Sequence, residues 1–266
     1  MKRRDFLASS IAAAGVAGLH TDTGMAQTQS TEPEYYELRR YQLRVGPMVQ
    51  RMNEYLEDVS IPALNRAGAR PIGAFTVQFG ADSPAIYLLV THRSIQEFAT
   101  LSSRLRSDQE FQKASAAHAD LPATDPACVR IDSQLMAAAP FMPKIEVPPG
   151  ASGKKPRLFE LRTYESHSLK ARRMKLEMFG PLGELAIFRR TGLTPVFFGE
   201  NLIGTRLPSF TYMLVYDDMA AREKGWAAFI DDPEWKTLRA RPGYTDPEIV
   251  SNISSIILRP APYSQI

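Results

Sequence analysis

Cysteine is almost absent from this sequence: among 266 residues Cys128 stands alone. That excludes an intramolecular disulfide and any cysteine-rich zinc or iron–sulfur centre, so stability has to come from buried apolar surface. Histidine is scarce as well. None of His20, His92, His118 and His167 shares a helix face with another ligand-type residue at metal-binding spacing. A charge excess is also missing: 32 basic and 29 acidic residues give a formal net charge of +3, which leaves no basic field for nucleic acid. No apolar run approaches the roughly 20 residues of a membrane span. Nucleophile elbow, phosphate loop and dinucleotide fingerprint are all lacking, so hydrolase and kinase readings have no support.

What remains is an ordinary globular balance, 44% hydrophobic and 23% charged. Residues 1–26 stand apart. Arg3 and Arg4 precede Phe6-Leu7 and a weakly apolar stretch from Ile11 to Leu19, and Gly24-Met25-Ala26 offers a small-residue cleavage site. This order resembles the bacterial twin-arginine signal. The expectation is a periplasmic protein cut after Ala26, with a flexible start over residues 27–33. No cysteine near the cut is available for a lipid anchor.

The rest of the chain repeats itself. Tyr36-Glu37-Leu38-Arg39-Arg40-Tyr41 returns as Phe159-Glu160-Leu161-Arg162-Thr163-Tyr164, an offset of 123. Ala67-Gly68 with Pro71 returns as Thr191-Gly192 with Pro195, and Asp108-Gln109-Glu110-Phe111 as Asp232-Pro233-Glu234-Trp235, both offset by 124. Two modules follow, 34–138 and 157–263, joined by a proline-rich segment over 139–156 that reads as extended and solvated.

Each module gives the same coarse pattern. A Tyr-rich alternating run opens as a strand, and Gly46-Pro47 starts a helix with Met48, Met52, Tyr55 or Leu56, and Val59 on one face. Two β-rich runs around Gly80 to Pro84 read as a hairpin, Ser94 starts a second helix, and Val129 opens a closing strand. Pro62 and Pro181 fall inside the two long helices and predict a kink in each. The order β-α-β-β-α-β, twice, is the ferredoxin-like pattern. Each module has one sheet face under its helices and one bare, so the two bare faces are expected to cover each other in a pseudo-dimeric α/β barrel of α+β class.

Glu-Leu-Arg-x-Tyr opening a strand in both tandem modules resembles the NIPSNAP family, over about residues 34–260. The resemblance implies a fold similar to the dimeric α/β barrels, which include small cofactor-free monooxygenases and dye- or haem-handling enzymes. It implies no settled activity.

Alternation along a strand puts Glu37, Arg39 and Tyr41 on one face, and Glu160, Arg162 and Tyr164 likewise. The expectation is that Phe159 and Leu161 lie under the helices while both polar trios project between the sheets. There they either ring a ligand cavity or pair off Glu to Arg as a packing seam. The second copy reads as the seam and the first, made more cationic by Arg40, as the anion contact. His92, set against Asp217 as its repeat counterpart, is a candidate base at the rim. Cys128 reads as a small buried apolar residue. The basic run Lys170 to Lys175 reads as a solvated helix face with Met174 and Met178 inward, and Trp226, Phe229 and Trp235 as core.

The functional expectation is a binding or assembly module of the periplasm that takes a small apolar or anionic ligand, contains no metal and needs no cofactor. A homo-oligomer fits the same surface logic. The alternatives are a cofactor-free oxygenase or isomerase acting on a small aromatic or apolar substrate, and a haem-binding protein.

Overall fold

The computed structural model describes residues 32–81, 83–149 and 157–266; the expected leader lies outside them. The first module runs β1 (Tyr35–Gln42), α1 (Pro47–Tyr55), a π-helical turn (Leu56–Ser60), α2 (Ile61–Arg66), β2 (Ile72–Phe79), β3 (Ala85–His92), α3 (Ile95–Ser107), α4 (Gln109–Ala119) and β4 (Arg130–Ala138). The second runs β5 (Leu158–Glu165), α5 (Leu169–Phe179), α6 (Glu184–Thr191), β6 (Thr194–Ile203), β7 (Ser209–Tyr216), α7 (Met219–Asp231), α8 (Pro233–Arg239), α9 (Asp246–Ile249) and β8 (Asn252–Pro260).

Local chemistry explains the element boundaries. Ser94 and Asp218, at equivalent places in the two halves, accept hydrogen bonds from the Glu97 and Ala221 amides and so start α3 and α7. Asp108 and Asp232 do the same for α4 and α8. These two aspartates also bind Arg66 and Arg190 at 2.9 and 2.7 Å, so the repeat extends to an ion pair that ties helix to helix. The two expected kinks differ. Pro62 follows the π-helical turn, which continues the helix past a residue without an N–H. Pro181 instead separates α5 from α6.

The eight strands close in the order β1-β3-β2-β8-β5-β7-β6-β4. Two seams join the halves, β2 with β8 and β4 with β6. The result is the expected pseudo-dimeric α/β barrel, with no free sheet edge among the described strands.

The faces, however, are exchanged relative to the expectation. Phe159 and Leu161 lie inside the barrel, where they pack with Tyr36, Leu38, Phe75 and Phe197. Tyr41 and Tyr164 lie outside it, under the helices of their own halves. Alternation decides which residues share a face but not which face turns inward. The barrel interior is packed from both halves, and it takes the bulky apolar set.

Two further expectations are corrected. On α5 the side turned to the sheet carries Ala171, Arg172, Lys175 and Met178, so Lys175, at 1% exposure, belongs to the core and not to a solvated face. The segment after β4 is not solvated at its start either. Ala139 and Met142 are buried, and the Ala139 and Glu146 amides bond to the Phe198 and Val196 carbonyls of β6.

Candidate functional site

The polar trios form closed hydrogen-bonded nodes. Glu160 is fully buried between β5 and α7, and its carboxylate accepts hydrogen bonds from Arg162, Arg222, Tyr216, Trp226 and Ser255 at 2.7 to 3.1 Å. Burial alone would raise its pKa, but the Arg222 hydrogen bonds and the Arg162 charge outweigh it and hold the group at about 2. The Arg162 guanidinium lies over the Trp226 ring, 4.7 Å from its centroid, and its Nη2 donates to the Tyr164 hydroxyl at 3.4 Å.

The first-half node is smaller. Arg39 grips Glu37 with two bonds of 2.7 Å, and the Ser133 hydroxyl donates to the same carboxylate at 2.9 Å. Burial is again outweighed, by His92, Arg39 and Ser133, and Glu37 sits at about 2. Arg39 is therefore committed to Glu37 and is not the free anion contact expected of it. His92 is not at a rim. It is wholly buried, its Nε2 3.8 Å from the Glu37 carboxylate and its ring edge-on to Phe98. Its structural counterpart is Tyr216, since Tyr35 faces His92 as Leu158 faces Tyr216 in the strand register, and both side chains look toward their half's glutamate.

The space for a ligand is on the other face of the same strands. A cavity of about 200 Å³ opens inside one end of the barrel. Leu38 and Leu161, the residues between the trio members, lie at its apolar base with Tyr87 and Ile256. Above them, Arg40 of β1 and Thr163 of β5 stand at equivalent places in the two halves, with Asp132 and Gln134 of β4, Ser254 of β8, and Thr205 and Arg206 of the β6–β7 hairpin.

This polar collar is ordered by its own bonds. Arg40 donates twice to Asp132, at 2.6 and 3.0 Å, across the β1–β4 pairing that sets the two directly opposite. The Arg40 hydrogen bond holds the Asp132 carboxyl below its ordinary value. Thr163 and Thr211 share a hydroxyl contact of 2.9 Å, and the buried Asn201 amide reaches Ser209 and Thr211 at 2.7 and 3.1 Å. Arg206 donates to the Ser254 hydroxyl at 2.8 Å.

None of Glu37, Arg39, Tyr41, His92, Glu160, Arg162 and Tyr164 lines this cavity. The signal that points to it is in the sequence nonetheless: Arg40 breaks the motif where the second copy has Thr163. Asp132, Gln134, Arg206 and Ser254 carry no local signal, because only the barrel brings them together. Among the described residues no cluster of His, Cys, Asp and Glu is arranged to hold a metal ion. A haem does not fit the cavity either, since about 200 Å³ is too small for the macrocycle.

Comparison with known proteins places this architecture. Solved structures similar in fold include a candidate monooxygenase from Lactobacillus acidophilus NCFM, with a TM-score of 0.56 at 10% identity over 86% of this chain and 94% of that one. A second candidate monooxygenase, from Fusobacterium nucleatum subsp. nucleatum, has a TM-score of 0.56 at 8% identity over 86% and 93%. A NIPSNAP domain protein from Burkholderia xenovorans matches at 24% identity over 39% of this chain and 94% of its own, with a TM-score of 0.34. Comparison with curated proteins returns no match. The NIPSNAP family model matches residues 36–143 and again 159–265. With both halves of its barrel matched in this way, the chain belongs to the NIPSNAP family.

Proposed function

We propose that this protein is an exported small-molecule-binding member of its family, and that the ligand sits in the barrel-mouth cavity. One observation carries the reading: the barrel interior is packed with large apolar side chains at one end, yet at the other it stops short and leaves about 200 Å³ framed by an ordered polar collar. At the ~30 Å³ a water takes up in the liquid, that is room for about seven waters or one small ring. Binding is favoured over catalysis because the collar supplies no poised acid or base. Asp132 is bound by Arg40 and kept below its ordinary range.

The test is a fragment screen by ligand-observed NMR on the purified protein and on Thr205→Trp, a change at an exposed position of the hairpin that overhangs the cavity. The expected result is a set of fragments that bind the native protein and not the variant. A screen in which the two proteins give the same fragments would overturn the reading. Export is tested separately by fusing residues 1–30 to a reporter. Arg3→Lys with Arg4→Lys should trap the precursor, and unchanged export would remove the twin-arginine assignment.

A further inference from the structure

We infer that the ligand of the barrel-mouth cavity is a small monocarboxylic acid with an apolar body, its carboxylate against Arg206 and its body on Leu38, Leu161 and Ile256. The inference rests on the binding reading above and adds the chemical class.

The charges of the lining set the sign. Two guanidiniums, Arg40 and Arg206, face one carboxylate, Asp132. Arg40 is closed off by its two bonds to Asp132, which also lies 3.4 Å from Arg130 Nε. Arg206 is different. Its hydrogen bond goes to a neutral hydroxyl, and its ion pair with Glu165 is a long one, 4.0 Å to an oxygen that also accepts a 2.9 Å hydrogen bond from the Asn252 amide. Among the described residues Arg206 thus makes no hydrogen bond to a carboxylate and keeps donors to spare at the collar, and a planar guanidinium offers a carboxylate two parallel donors.

The base of the cavity sets the rest. Leu38 and Leu161 are part of the buried barrel core, and Ile256 packs against it. A fully polar anion such as phosphate would leave this surface uncovered, whereas an apolar body covers it and gains the hydrophobic contribution of the contact. An amine would have to compete with Arg40 for Asp132, the carboxylate of the lining. Size limits the body to about one ring or a short branched chain.

The experiment is calorimetric titration of the purified protein with benzoate, benzamide and benzylammonium, three probes of one shape and three charges, repeated on Arg206→Gln and Thr205→Trp. Both substitutions are at exposed hairpin positions, so folding is not at stake. Benzoate should bind at least about tenfold more tightly than the other two, the worth of a charge-assisted hydrogen bond. Arg206→Gln should remove that preference, and Thr205→Trp should remove binding. If benzoate and benzamide bind equally and Thr205→Trp abolishes both, the cavity is the site but the carboxylate class is wrong. If benzoate binds Thr205→Trp and Arg206→Gln as it binds the native protein, it binds elsewhere and the inference falls. If none of the probes binds while other fragments do in the screen, the class again falls and the site stands.

Discussion

Met52 and Lys175 occupy the same place in the two halves, each at 1% exposure on the sheet side of the helix that follows the first strand. The repeat position of buried Ser60 is held in the second half by buried Glu184, whose carboxylate lies 3.4 Å from the Lys175 ammonium, and Asp246 lies at the same distance. The ammonium also lies 5.3 to 5.5 Å from the ring centres of Tyr164, Phe179 and Trp235. One half of the duplicated fold has therefore acquired a buried ion pair that the other does without.

Removing one partner should cost more than replacing both. Lys175→Met should destabilise the protein by about 3 kcal/mol, because it leaves Glu184 buried without its counter-charge. Lys175→Met with Glu184→Ser, which rebuilds the first-half pair, should recover most of that loss. Chemical denaturation of the two variants measures it, and equal losses would show that the pair acts through packing alone.

The two glutamate nodes should not be equally sensitive. Arg39→Met leaves Glu37 with the Ser133 hydroxyl at 2.9 Å and the His92 imidazole at 3.8 Å. Arg162→Met leaves Glu160 with Arg222, Trp226, Tyr216 and Ser255. The expected loss is about 3 kcal/mol or more at Arg39 and about half of that at Arg162, with Glu37→Gln recovering part of the former. Melting curves that rank the two the other way would contradict this.

Stability should depend on pH through three carboxyls with opposing signs. Glu37 and Glu160 titrate at about 2 in the folded chain against an ordinary 4.5, so the unfolded state takes up their protons first. Their stabilisation is complete above pH 4.5 and is lost as pH falls toward about 2, each being worth about 3 kcal/mol. Glu184 runs the other way: burial, only partly offset by Lys175, raises it to about 7. Its folded state holds the proton longer than the unfolded one, so it subtracts stability as pH rises from 4.5 to about 7. Unfolding free energy should therefore peak near pH 4.5 to 5, and Glu184→Gln should flatten the decline above it.

Each half expressed alone, residues 27–145 or 150–266, should self-associate. Alone, each would uncover its share of the barrel interior, including Leu38 and Phe75 in one and Phe159 and Leu161 in the other. Analytical ultracentrifugation showing a folded monomeric half would contradict the shared core.

The duplicated βαββαβ order was legible because it is written locally, in alternating strands and in caps such as Ser94 and Asp218 that recur in each copy. The direction of the faces was not, since Glu160-Leu161-Arg162 alternates identically whichever side turns inward. A helix face through Met174 and Met178 leaves Lys175 in solvent, whereas the sheet-facing arc is rotated from that line toward Ala171 and Lys175. The cavity was out of reach for another reason. Arg40 and Asp132 meet across β1 and β4, and Arg206 and Ser254 only when a hairpin folds over a strand far along the chain.

The seams of the barrel also govern the order of assembly. While the chain is being made, the outer edges of β2 and β4 must wait, since β4 acquires its neighbour only with β6 and β2 only with β8, the last strand. Until then the nascent first half carries two unsatisfied edges and an uncovered apolar face, the state most vulnerable to pairing with the wrong chain. Folding should be slow and concerted, governed by the most distant contact rather than by the helices, and a nascent chain stalled before β8 should need chaperone protection for as long as it stalls.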